Sequence, residues 1–336
     1  MKEIFFSESN HEPARETCAK NMQRTAALCH SGDAMRVVHW NVRRCVDLNG
    51  VCSRARMVST LEQLHPAVVT LNEVDMRQTP TLLEDLSSIG LSHASFFGHV
   101  RSGSYGNLVA SCEPLHDVEH THLDGGTEVL TKDGMTHRIA RGLLSATISM
   151  LGVDVRVAVT HLDHMSSRER RRQTQHLLHT LNGRGDGGAA LVIGDLNALR
   201  RADYTDDEWA WHHGYNDEKH WGAPVDEADE GGVLALLAAA RFVDAYAVLE
   251  HERRIEHERR IGESRPSWRG PPWTAHVRDE ARPPCRIDYV HSRPPSAPGG
   301  RRLVPLAAAV ESNCGEASDH QPLVLDFEAT AFDAGE

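Results

Sequence analysis

The sequence predicts one α/β domain over residues 35–328, and three observations lead to it. Apolar runs of strand length recur and are bounded by polar residues, as in "MRVVHWNV" and "ALVIGDLN". Between them lie segments whose leucines fall at helical spacing. No linker composition marks residue 185, the place where two smaller domains would divide. Short apolar strands mixed with amphipathic helices imply sheets covered on both faces.

The elements follow in order. Residues 1–34 are polar and aperiodic and are expected to be a flexible lead-in. Met35–Val42 alternates and is the first strand. "SRARMVSTLEQLH" is a helix with Met57, Leu61 and Leu64 on its inner face, closed by Pro66. "AVVTLNEV" is a buried strand that ends in Asn72 and Glu73. "TLLEDLSSIG" is a short helix capped by Gly90. "ASFFGHV" and "GNLVASC" are strands, and "RGLLSATISM" and "VDVRVAVTHLD" form a hairpin around Gly152.

"SSRERRRQTQHLLHTLNG" is a helix. Ser166 and Glu169 have capping-box spacing, Leu177, Leu178 and Leu181 face inward, and Asn182-Gly183 ends it. Its "RERRR" run reads as a solvated face. Residues 198–232 are polar, acidic and rich in tryptophan, which predicts a surface insertion from about residue 200. "VLALLAAARF" is a buried helix, the "HERRI" duplication an exposed helix or loop, and "RPPSAPGGRR" a loop. "RIDYVHS", "LVPLAAAV" and "QPLVLDFE" are the last strands, with residues 329–336 as a tail.

Composition excludes several classes. An apolar fraction of 40% suits a globular core, and no run approaches the roughly 20 apolar residues of a membrane span. "MKEIFFSESN" does not read as a secretory signal. The seven cysteines are odd in number and lack CxxC spacing, which fits reduced thiols in the cytoplasm or nucleus. A net charge of −12 argues against a protein that coats nucleic acid, but a divalent cation can offset it locally at a phosphate site.

"IGDLN" raises the functional question. A turn would use Gly194, Asp195 and Asn197 for their backbone preferences. On a strand, side chains two apart point the same way, so Asp195 and Asn197 would project together. Repetition favours a site. Asn41 ends "HWN", Glu73 ends "LNE", His161 lies in "THLD", Asp288 in "RIDY", and Asp319-His320 precede "QPLVL". Six apolar segments each deliver a carboxylate, amide or imidazole near one end.

In that order, "WN", "LNE", "THLDH", "GDLN", "RIDY" and "SDH" resemble the endonuclease/exonuclease/phosphatase superfamily over residues 35–328. The resemblance implies a DNase-I-like four-layer sandwich, two mixed β-sheets packed face to face with helices outside. It also implies hydrolysis of phosphoesters with Mg²⁺, for which Mn²⁺ can substitute. Mg²⁺ prefers oxygen ligands and keeps several waters, so few carboxylates suffice. Glu73 is the expected ligand, with Asn41 and Asp319 completing or orienting the shell.

Asp195 is expected to act as base or to orient the attacking water, and Asn197 to hold a phosphoryl oxygen or a shell water. His320 would face the phosphate with Asp288 accepting its other ring N–H. His161 resembles the superfamily's second histidine. "SYGNLV" and "ARGLL" resemble segments that touch phosphate, which adds Tyr105, Asn107 and Arg141. The expected substrate is nucleic acid, cut by a nuclease or end-processing phosphodiesterase. Alternatives are a lipid or small-molecule phosphodiesterase or phosphatase, or a catalytically inactive binding module. Against the last, the motif residues are all present. "PPCRIDYV" departs from the inositol phosphatase signature, and the leucine-rich repeats of deadenylases are absent from the sequence.

Overall fold

Alternate side chains of the central strands enter two different apolar layers, and this period of two builds the architecture. A computed structural model describes residues 34–332 apart from 101, 131–133, 184–186, 220, 222–230, 262–272, 277–282 and 297–299. Apart from Ala34, the expected lead-in lies outside the described residues, as do parts of the insertion, the 293–302 loop and the tail.

In chain order the first strands are β1 (Met35–Asn41), β2 (Val68–Asp75), β3 (His93–Gly98), β4 (Tyr105–Ser111), β5 (Leu115–His122), β6 (Glu128–Leu130) and β7 (Thr136–Arg138). There follow β8 (Gly142–Met150), β9 (Val153–His161), β10 (Ala189–Asp195), β11 (Val243–Asp244), β12 (Asp288–Arg293), β13 (Arg301–Val310) and β14 (Leu323–Ala331). One six-stranded sheet has the order β13-β14-β1-β2-β4-β3, and a second has β11-β12-β10-β9-β8-β5. Both are mixed: β1 runs parallel to β2, and β9 parallel to β10. β6 and β7 form a separate hairpin.

Val37, Val68, Val109, Val157, Leu191, Ile193, Leu325 and Phe327 fill the layer between the sheets. Their chain neighbours turn the other way. Val38, Trp40, Val69 and Leu71 lie under α1 (Arg54–Leu64) and α2 (Leu82–Ser88). Ala158, Ala190 and Val192 lie under α3 (Ser167–Asn182) and, beyond α4 (Asp206–Glu218), under α5 (Val233–Ala239). α6 (Ala245–Ile261) closes the middle layer with Ala245, Tyr246 and Leu249. The result is the expected four-layer sandwich.

Local chemistry sets the ends. His65 stops α1 in a left-handed conformation (φ 49°) before Pro66. Gly90 (φ 95°) ends α2, where the Leu91 N–H returns to the Leu86 carbonyl. The capping box of α3 is half formed. Ser166 accepts from the Glu169 N–H, but the Glu169 carboxylate accepts from the Gly126 N–H at 2.9 Å instead of returning to the cap. Asp163 does more for this helix, accepting from the backbone N–H groups of Met165, Ser166 and Thr127 and from the Thr127 hydroxyl.

Three features depart from expectation. β5 exposes most of its residues and so carries no apolar run to reveal it. The last strand continues to Ala331, past the boundary expected at residue 328, because Arg301–Leu303 of β13 pair with it there. The insertion contains α4, opened by a Thr205–Glu208 capping box, and it is anchored: Tyr204 packs with Ala275, Cys285 and Ile287, and Trp209 and Trp273 close around them.

Two stability outcomes follow. A Cβ on Gly194 would lie 1.8 Å from the Thr160 carbonyl oxygen on β9. Gly194→Ala is therefore expected to cost about 1–3 kcal/mol in denaturant titration; wild-type stability would show that the two strands do not approach this closely. Burial pushes the Asp163 carboxyl up, but its four N–H and O–H donors outweigh this and hold it below the ordinary carboxylate range. Its contribution is present above the unfolded-state value and is lost as pH falls through the folded one. Asp163→Asn should lose about 2 kcal/mol at neutral pH, and thermal melts should show the gap from wild type closing under acid.

Candidate active site

Follow each inner face toward one common end and it turns from apolar to polar. β1 runs Val37, His39, Asn41; β2 runs Val68, Thr70, Asn72; β10 runs Leu191, Ile193, Asp195; β9 ends in His161; Asp288 opens β12. Each strand's period of two thus aims its last polar side chain between the sheets.

Hydrogen bonds across the gap satisfy them. Asn41 Nδ2 donates to Asp195 Oδ2 at 3.0 Å and to Glu73 Oε1 at 3.1 Å. The Asp195 N–H donates to Asn72 Oδ1 at 2.8 Å, and Asn72 Nδ2 to Asn107 Oδ1 at 2.9 Å. Asp288 sits between two imidazoles, His320 Nδ1 at 2.8 Å and His39 Nε2 at 3.2 Å. His320 Nε2 is 3.8 Å from Asp195 Oδ2, and His161 Nε2 is 3.6 Å from the same oxygen. Trp40 Nε1 fixes the His320 carbonyl at 3.0 Å.

Glu73 reaches the cluster through a local irregularity. The β2–β4 register shifts between Leu71 and Val74, and Glu73 takes a left-handed conformation (φ 58°), which non-glycine residues adopt at a cost. Asn72 and Glu73 both serve the site as a result. The Glu73 side chain is 24% exposed, against 3% for Asp195 and 1% for Asp288.

The electrostatics divide the two buried aspartates. Burial and the neighbouring Asp288 charge push Asp195 up to about 7, against the pull of His320 and the Asn41 hydrogen bond. Burial would raise Asp288 as well, but the His320 charge and the hydrogen bonds from both histidines hold it well below the usual carboxylate range. Burial would lower His320, yet Asp288, Asp195 and Asp319 together raise it to about 10, so it is an imidazolium at neutral pH. His161 goes the other way: burial and then Arg141 depress it well below its ordinary value, leaving a neutral ring.

The expected residues converge with three exceptions. Asn197 does not project from the strand beside Asp195, because β10 stops at Asp195 and Asn197 is left-handed (φ 48°). Its N–H donates to Asp195 Oδ1 and its amide to the Leu162 carbonyl, so the stretch is a turn and a site at once. Asn107 is fully buried, and its amide bridges Asn72 to the Gly142 carbonyl at 2.8 Å; it ties the sheets together and leaves no group for phosphate. Among the described residues the Asp319 carboxylate has Arg43 Nε at 3.8 Å and His276 Nδ1 at 3.9 Å as its ion-pair partners, in place of the Asn41–Glu73 pair it was expected to join.

Tyr105 does join the site. Burial and Glu73, which its hydroxyl contacts, raise it well above its ordinary value and keep it protonated. Arg141 is buried, donates to the Leu162 carbonyl and lies 3.3 Å from His164, and no carboxylate pairs with it among the described residues.

His39 and Asn72 also belong to the cluster; neither carries a motif role in the sequence, although each lies on the inner face that strand alternation assigns. Asp195, Asp288 and His320 bring ligand-type atoms within 4.8 Å of one another, a buried group that could hold a metal.

No curated protein matches the chain in sequence. Among solved structures, an endonuclease/exonuclease/phosphatase from Beutenbergia cavernae is similar at 21% identity and a TM-score of 0.58, over 88% of this chain and 72% of that one. The human Nocturnin catalytic domain with bound sulfate has 19% identity, a TM-score of 0.57 and coverage of 89% and 95%. D. rerio TDP2 complexed with a single-strand DNA product has 20% identity, a TM-score of 0.53 and coverage of 88% and 99%. A family model spans residues 38–320, from β1 to His320, and thereby takes in every strand end that meets at this cluster. The chain belongs to the Endonuclease/Exonuclease/phosphatase family, whose members are phosphoester hydrolases.

Proposed function

We propose that the chain is a Mg²⁺-dependent phosphodiesterase that processes nucleic-acid strands or ends. One observation carries the reading: Glu73, Asn41, Asp195, His320 and Asp288 form an unbroken line of contacts that places an open carboxylate, a carboxyl raised to about 7 and an imidazolium side by side. Phosphoester hydrolysis needs those three functions.

The donor set fits a hard cation. Glu73 is the acidic group of the cluster most open to solvent, which suits an ion that keeps part of its water shell. The buried Asp195–Asp288–His320 group fits less well, because Asp288 and His320 already pair with each other. When bound beside Glu73, Mg²⁺ supplies positive charge to the phosphoryl and leaving oxygens.

The chain's own groups do the rest. Asn41 donates to both Glu73 and Asp195 and sets their spacing. Asp195 takes the proton of the attacking water, and its value, raised to about 7, suits that transfer at neutral pH. Asn197 orients that water from the turn. His320, kept protonated by Asp288, faces the charge that develops on the phosphoryl oxygens. His161 offers a neutral imidazole between Glu73 and Asp195. Arg141 and Tyr105 contact the phosphate, while Asp319 pairs with Arg43 and His276. The DNA product in the D. rerio TDP2 complex supports a nucleic-acid substrate. Among the described residues, no helix is long and apolar enough to cross a membrane.

A panel of nicked, abasic and phosphotyrosyl DNA, RNA and lipid phosphodiesters, with Mg²⁺ or Mn²⁺, tests the proposal. Cleavage of nucleic acid is expected; cleavage of lipid alone would move the substrate class, and silence throughout would overturn the activity. Asp195→Asn and His320→Ala should each lower kcat by roughly 10²–10⁴-fold, and full activity in His320→Ala would reverse its assignment. Mg²⁺ should raise the melting temperature of wild type and not of Glu73→Ala, as differential scanning would show.

A further inference from the structure

The Asp288–His320 pair joins two sheets, since Asp288 opens β12 of the second and His320 precedes β14 of the first. Neither sheet's ladder fixes the distance between them. A third segment does. Residues 273–276 belong to no named strand, yet Ala275 bridges both Cys285 and His320. The Thr274 and Ala275 N–H groups donate to the Cys285 carbonyl, each at 2.9 Å. On the other side, the Gln321 N–H donates to the Thr274 carbonyl at 2.8 Å and the His276 N–H to the Asp319 carbonyl at 2.9 Å.

The Thr274 side chain completes this strap. It is fully buried, and its Oγ1 accepts from the N–H groups of Ile287 and Asp288, both at 3.2 Å. Those two amides belong to the start of β12, where the carboxylate is launched toward His39 and His320. The strap is in turn held from outside: Trp273 stacks on Tyr204 at 5.1 Å and 12°, and the Tyr204 hydroxyl accepts from the Arg286 N–H at 3.2 Å.

We infer that Thr274 is a positioning residue for the Asp288–His320 pair, its hydroxyl fixing the backbone of Asp288 while its main chain fixes the residue after His320. The role rests on the reading of that pair as part of the hydrolytic site. A hydroxyl is required here because an apolar side chain of the same shape would leave two buried N–H groups without an acceptor.

Thr274→Val, Thr274→Ala and Thr274→Ser in the full chain separate the possibilities. Proton NMR would follow the His320 Nδ1–H resonance, identified by its loss in His320→Gln, and steady-state kinetics would follow the best substrate. Thr274→Val and Thr274→Ala should shift or abolish that resonance and lower kcat roughly 100-fold, the scale of a 1 Å misplacement, with KM little changed. Thr274→Ser should retain both. An unchanged resonance in a folded Thr274→Val or Thr274→Ala would overturn the inference, as would a serine variant impaired to the same degree. Loss of fold in both the valine and alanine variants, with serine intact, would make Thr274 a stability residue and equally overturn it. The resonance reads the geometry without turnover, so an inactive wild type would sink the proposed hydrolysis and still leave this inference tested.

Discussion

Two β-sheets that face each other across an apolar layer must deal with whatever polar side chains their inner faces carry, and everything in this site depends on how that is done. Buried amides and carboxylates are costly unless each finds a partner. Here the partner comes from the opposite sheet: Asn41 to Asp195, His39 to Asp288, Asn72 to the Asp195 N–H, and Asn107 to the Gly142 carbonyl. The same bonds that close the end of the sandwich hold the carboxylates in register. A site built in this way is rigid by necessity, because moving one sheet relative to the other would strand several polar groups at once.

The rigidity has an electrostatic consequence. Two aspartates a few ångströms from one imidazole in a low-dielectric setting do not share it equally. Asp288 accepts from two histidines and becomes the fixed anion, whereas Asp195 receives an amide hydrogen bond and feels the Asp288 charge. Their environments therefore drive the two carboxyls apart, one toward permanent ionisation and one toward proton exchange near neutral pH, the usual mark of divided labour in an acid–base site. Sequence distance plays no part in this, since the difference arises from which neighbour the opposite sheet supplies.

Most of the strands and helices were legible because apolar period and punctuation agree in them. β1, β2, β9 and β10 each carry an apolar run that stops at a polar residue, and α1 to α3 carry both an inner face and a recognisable end. The site was legible in part for the same reason, since a strand end is visible in a sequence. What could not be read is conformation imposed by contact. Glu73 enters the site by a register shift, and a left-handed turn takes Asn197 off the strand, neither of which alternation can foresee. The "SYGNLV" motif marks Asn107 as a phosphate ligand, but its surroundings are decided by β8 and β9, far away in sequence. Asp319 likewise faces Arg43 and His276, and nothing in "SDH" announces either partner.

The insertion illustrates the limit most clearly. Its acidic, tryptophan-rich composition reads as solvated surface, yet Tyr204, Trp209 and Trp273 form an aromatic seat, and Asp203 ion-pairs with the fully buried Arg286 at 2.9 Å. Asp244 reaches the same guanidinium at 2.8 Å, so a single cation ties the insertion to the second sheet two residues before Asp288. Breaking one partner of a buried ion pair is far more costly than the pair is stabilising, so such a contact specifies geometry more than it adds stability. An element whose aliphatic content would not mark it as core thus becomes part of the frame that holds the reacting groups, and its aromatic and charged residues are the chemistry by which a polar surface segment can be fastened to a site it does not enter.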